Sequence, residues 1–128
     1  MRRILGLVLA GLLLAGGAVA APLEHKAVVF FGSWSADIDD SAQAAIADAA
    51  SWSKDHPKAV IRVEGYASTV GSKKANILLA DLRAQVVVDA LEAAGVAPRL
   101  IRQSGHGPHP YVDTPLEARR VEIVLRAP

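Results

Sequence analysis

From Ser72 to Ala94 the chain carries about six turns of helical pattern with no glycine or proline, and apolar residues fill most of its circumference. At 100° per residue, Ala75, Leu79, Leu82, Val86, Ala90 and Ala93 cluster on one face, the expected sheet-packing stripe. Asn76, Ala80, Arg83 and Val87 form the adjoining stripe, so Arg83 is expected to border the core. Ile77, Ala84, Val88 and Leu91 extend the apolar surface, leaving polar residues only a wedge of Lys74, Asp81, Gln85, Asp89 and Glu92. A helix of this kind is buried on two sides, against a sheet and against another helix. An exposed second stripe would instead mark a partner surface, which keeps a homodimer among the expected assemblies.

The rest of the chain supplies those two sides. Val28-Val29-Phe30-Phe31 reads as a strand stopped by Gly32, and Val60 to Glu64 as a strand stopped by Gly65. Between them Asp39, Asp40 and Ser41 offer N-caps for a helix reaching about Asp55, closed by His56-Pro57. Its inward stripe is Ala42, Ala45, Ile46, Ala49 and Trp52 or Ser53. The long helix ends at Gly95, with Pro98 following. Leu100 to Ser104 and Arg120 to Leu125 are the last strands, with Gly105 to Pro110 expected as loop between them. The order βαβαββ predicts an α/β two-layer sandwich with two right-handed crossovers and its helices on one sheet face.

Residues 1–20 stand apart. Arg2-Arg3, the apolar run from Ile4 and the ending Ala18-Val19-Ala20 have the three parts of a signal peptide, so cleavage is expected after Ala20 and a single domain over 21–128. An uncleaved anchor is the rival reading, weakened by Gly16-Gly17. With no cysteine, the sequence offers no site for a lipid-modified cysteine, a thiol nucleophile or a disulfide. The 14 Lys and Arg nearly balance the 13 Asp and Glu, for a formal charge of +1, so the basic surplus of a nucleic-acid binder is missing.

Three stretches carry a family likeness: Gly65 to Ser72, then Asn76, Leu79, Arg83-Ala84 and Val87, then Arg119-Arg120-Val121-Glu122-Ile123. Together they resemble the OmpA C-terminal-like (OmpA/MotB/Pal) peptidoglycan-associating domain, over nearly all of the chain after the leader. In that family a strand ends in Gly-His-Thr-Asp, a loop Gly follows, and the next helix carries Asn-x-x-Leu-Ser-x-x-Arg-Ala. The resemblance implies an envelope module that binds the diaminopimelate of the peptidoglycan stem peptide without cofactor or catalysis. By the same resemblance, Arg grips its carboxylate and Asp its ammonium. The implied contacts here are Ser68, Thr69, Gly71, Asn76, Leu79 and Arg83. The departures fall in that set: Tyr66, Ala67 and Ser68 replace the family's His, Thr and Asp, Ala80 replaces the helical Ser, and Ala118 replaces the Asn before the final Arg pair.

Two readings of Arg83 remain open on the sequence. A partly desolvated guanidinium needs partners, and either Glu64 or Asp81 supplies an internal ion pair, or its fork awaits an exogenous carboxylate. Other constellations are weaker. His106-x-x-His109, with His25 or His56, is half a metal site in a loop, a pattern that usually belongs to solvated histidines. Ser68 lacks a nucleophile elbow, and Gly65 to Lys73 lacks the ending of a phosphate loop. Trp34 and Trp52 read as packing residues, with Trp34 in its serine-flanked loop the possible exception.

The sequence therefore predicts a periplasmic, outer-membrane or wall-associated peptidoglycan-binding module with no cofactor, metal or nucleic-acid partner. The alternative is a degenerate copy that has lost wall binding and serves as an interaction module for other envelope proteins.

Overall fold

In the central strands apolar residues fall at alternate positions, and that alternation decides which sheet face the helices cover. The computed structural model describes residues 23–108 and 115–128, so the leader expected over residues 1–20 lies outside the described residues. Strands β1 (Glu24–Phe30), β2 (Val60–Ala67), β3 (Ile101–Pro108) and β4 (Arg120–Arg126) form one sheet in the order β1-β4-β2-β3. β4 runs antiparallel to both neighbours, while β2 and β3 are parallel. Helices α1 (Asp40–Asp55) and α2 (Lys73–Ala93) make the connections β1 to β2 and β2 to β3. Their buried residues share one core with Val29, Ile61, Val63, Val121, Ile123 and Leu125, so the α/β two-layer sandwich stands. A short 3₁₀ turn at Pro98–Leu100 and a four-residue helix α3 (Pro115–Ala118) add to the expected order.

Both long helices begin and end where local chemistry directs. Asp39 caps α1 by accepting the Ala42 N–H at 2.8 Å, and its inward stripe is Ala42, Ile46, Ala49, Ala50 and Ser53. At the end of α2, Gly95 takes φ +98°, Val96 N–H reaches the Leu91 carbonyl and Gly95 N–H that of Glu92. These two bonds define a Schellman ending, and buried Leu91 and Val96 are the apolar pair that accompanies it.

Three expectations are corrected by one cause. β2 does not stop at Gly65, and β3 runs on through Gly105-His106-Gly107, where a loop is expected. The stripe of α2 that packs on the sheet is Asn76, Ala80, Arg83, Ala84, Val87, Val88 and Leu91, not the one through Leu79 and Leu82. Gly65 and Gly105 lie side by side in the β2-β3 register, and a Cβ on either would collide with α2, at the Ala80 carbonyl oxygen and the Asp81 carboxylate respectively. Here the strand glycines mark a close helix approach rather than a strand end. That approach favours the side of α2 carrying Ala80 and Ala84; Val86 and Ala90 are left partly buried at the edge of the core and Leu82 is 51% exposed.

Candidate functional site

The carboxyl end of β2, the amino end of α2 and the loop after β1 converge on a cleft of about 180 Å³. Ser33 and Trp34 come from the β1-α1 loop, Ser68 and Val70 from the β2-α2 loop, Asn76, Leu79 and Arg83 from α2. Pro115 and Arg119 close it from the segment before β4. Four of the six sequence-predicted residues, Ser68, Asn76, Leu79 and Arg83, thus share one cavity wall, while Thr69 and Gly71 do not line it.

Each polar residue of that wall is held by the backbone around it. Ser72 caps α2 by accepting the Ala75 N–H at 3.2 Å. Asn76, 1% exposed, donates both amide hydrogens, to Val70 O at 2.8 Å and Ser72 O at 3.0 Å, so it clamps the loop to the helix. Ser68 Oγ accepts the Val70 N–H at 3.0 Å, and no His-carboxylate relay reaches it among the described residues. Gly71 has φ +86°, and a Cβ there would press on the Trp34 ring at 3.1 Å. Trp34 itself has φ +52° and stays 57% exposed, an uncommon backbone state for a bulky residue.

Arg83 does not border the core but lies within it at 1% exposure, the largest fully buried side chain among the described residues. It pairs with neither Glu64 nor Asp81. Its Nε donates to Ser35 O at 2.8 Å, Nη1 to Tyr66 O at 3.2 Å and Nη2 to Gly32 O at 3.1 Å, with the Phe31 ring 5.4 Å from the guanidinium carbon. One side chain therefore ties the β1-α1 loop to the end of β2. Burial, and then the positive field of Arg119, lower its pKa to about 10, which still leaves it charged at neutral pH.

Arg119 is the residue the sequence-predicted set omits. It is half-buried, its Nε donates to Phe31 O at 3.0 Å, and its own carbonyl accepts the Phe31 N–H at 2.8 Å. The signal for it lay in the closing Arg-Arg-Val-Glu-Ile stretch, of which the neighbouring Arg120 turns to the other sheet face. There Arg120 covers the Tyr66 ring at 4.0 Å, and His106 stacks on that ring at 4.7 Å. Burial and the nearby Glu122 and Glu64 carboxylates raise the Tyr66 pKa above its ordinary value.

The histidines do not converge. His25 and His56 both stack with Trp52, His25 pairs with Asp48 at 2.7 Å, and His56 Nδ1 lies 2.9 Å from Trp52 O. His106 stays with Tyr66, His109 lies outside the described residues, and no group of three metal-ligating side chains occurs among those described.

The family model of the OmpA family matches residues 30–121, which hold both long helices, β2, β3 and the described residues that line this cleft. The chain belongs to the OmpA family. Among curated proteins, the probable lipoprotein YiaD of Escherichia coli (strain K12) is 32% identical over 103 residues, covering 76% of this chain and 47% of that protein. The chain thus spans about half the length of that relative. Among solved structures, the peptidoglycan-associated lipoprotein from Burkholderia pseudomallei superposes with a TM-score of 0.72 at 26% identity, covering 77% of this chain and 89% of that one. The OmpA-like domain of FopA1 from Francisella tularensis shares the fold with a TM-score of 0.76 at 24% identity, covering 85% of this chain and 76% of that one.

Proposed function

We propose that this OmpA-family domain associates non-covalently with peptidoglycan, taking a stem-peptide carboxylate into the cleft between the β2-α2 loop and Arg119. The supporting observation is that two guanidiniums face one cleft with no acidic side chain among its described lining residues. Such a site matches a carboxylate, which guanidinium binds through charge-assisted hydrogen bonds. The name of the Burkholderia relative points to the same partner. Nothing in this role breaks a bond, so the domain acts as a binding module and not as a catalyst. Residues 1–20 act in this reading as the export signal that delivers the domain to the periplasm, and intact mass of the exported protein should begin at Ala21.

Retention of the exported protein on purified sacculi, and its release by free stem peptide, test the proposal. Absence of retention at low salt sinks it. The interaction-module reading then takes over, because Trp34 and Val70 at the cleft and Leu78 and Leu82 on α2 are all more than half exposed, an apolar surface open to another protein.

A further inference from the structure

The two guanidiniums at the cleft are not equivalent. Arg83 is sealed below the surface with three of its N–H groups on carbonyl oxygens. Arg119 is less buried and uses only Nε, so its Nη1 and Nη2 groups have no partner among the described residues. Both line the same cleft as Ser68, whose hydroxyl is neutral and already accepts a backbone N–H. A ligand entering this cleft meets positive charge from two lining residues and no carboxylate from the described ones.

Resting on the peptidoglycan reading, we infer that Arg119 is the direct carboxylate contact and that the site selects a carboxylate whose neighbouring amine is uncharged. The physical reason is charge balance. An ammonium beside the bound carboxylate would sit near two cations with no anion from the described lining residues to offset them, whereas an acylated amine is neutral and leaves the carboxylate attraction intact. Diaminopimelate takes that form when its side-chain amine is engaged in an amide cross-link. The ligand class is therefore the cross-linked stem peptide rather than the free one. Arg83 acts behind Arg119 as a positioning residue that fixes the Gly32-Ser35 loop and adds its charge to the cleft.

Titration calorimetry on the exported protein tests this with two synthetic stem tripeptides ending in diaminopimelate, one with its side-chain amine free and one with it acetylated. The acetylated peptide should bind about tenfold more tightly, the size of one partly screened like-charge contact. Arg119→Gln should weaken both peptides at least about tenfold by loss of a charge-assisted pair, while thermal melting reports whether the fold persists. Should that variant unfold, Arg119→Lys keeps the charge and should lose affinity through loss of the planar fork. Ser68→Asp should reverse the preference toward the free amine. Equal binding, or preference for the free amine in the unsubstituted protein, overturns the inference and leaves the peptidoglycan reading in place. So does affinity untouched by a folded Arg119 variant. Failure of both peptides to bind removes the reading on which the inference rests.

Discussion

The two ends of α2 are built on opposite terms. At its carboxyl end, Leu91 and Val96 close an aliphatic core and Gly95 completes the hydrogen bonds of the last turn, so the hydrogen bonds that end the helix there are backbone to backbone. At its amino end the buried groups are an amide and a guanidinium, Asn76 and Arg83, and the partners they satisfy are loop carbonyls. The aliphatic end gains stability from area removed from water. The polar end spends some of that stability on a buried charge without a counter-ion, which fixes two loops and leaves positive potential at a cleft. One helix thus carries the anchor and the site at its two ends.

The largest effect that breaks this contrast is expected at the aliphatic end. Leu91→Ala should cost about 2–5 kcal/mol by lost transfer energy plus a cavity, measured by urea unfolding. Affinity for sacculi, measured where the variant is still folded, should not change. Binding lost in a fully folded Leu91→Ala protein would show that the two ends are coupled.

Arg83→Ala should come next, at about 2–4 kcal/mol, because it strands the carbonyls of Gly32, Ser35 and Tyr66. The structure here corrects the expectation of a side chain that merely borders the core. Arg83→Lys should rescue little, since a point charge cannot hold three carbonyls from one plane. A melting temperature unchanged in Arg83→Ala would place the side chain outside the loop clamp.

A pair of glycine variants sharpens the comparison further. Gly95→Ala and Gly71→Ala both force a residue with Cβ into a left-handed backbone, φ +98° and φ +86°, and each should cost about 1 kcal/mol of stability. Only Gly71→Ala should also weaken sacculus binding, because its Cβ displaces the Trp34 ring at the cleft. Equal binding by both variants would remove Trp34 from the site.

The smallest effect lies on the open sheet face. The Tyr66 pKa is raised in the folded protein, so above the ordinary phenol value of 10.0 the folded state holds a proton that the unfolded state has lost. The proton count therefore makes stability fall as pH rises through that window. Tyr66→Phe should lack this part of the alkaline decline, read as a smaller drop in melting temperature between pH 9 and pH 11. Parallel declines in the two proteins would mean that the phenol environment is the same folded and unfolded.

Element type and order were legible in residue periodicity and capping: Asp39, Ser72 and Gly95 sit where the chain chemistry puts helix ends, and Val121, Ile123 and Leu125 alternate inward as read. The family likeness was legible for the same reason, since it rests on local spacing around Gly65, Asn76 and Arg83. Which face of α2 meets the sheet was not, because a helix apolar nearly all round leaves the choice to the partner surface. Gly65 and Gly105 made that choice by admitting the Ala80 and Ala84 side, and their pairing across β2 and β3 exists only once the sheet has formed. The site divides in the same way. Its α2 residues follow from helical spacing, whereas Arg119 enters the cleft through a sheet order that brings β4 beside β2, far from it in sequence. The partners of Arg83 were also beyond the sequence: carbonyl oxygens belong to every residue alike, so only the packed loops determine which of them a buried guanidinium meets.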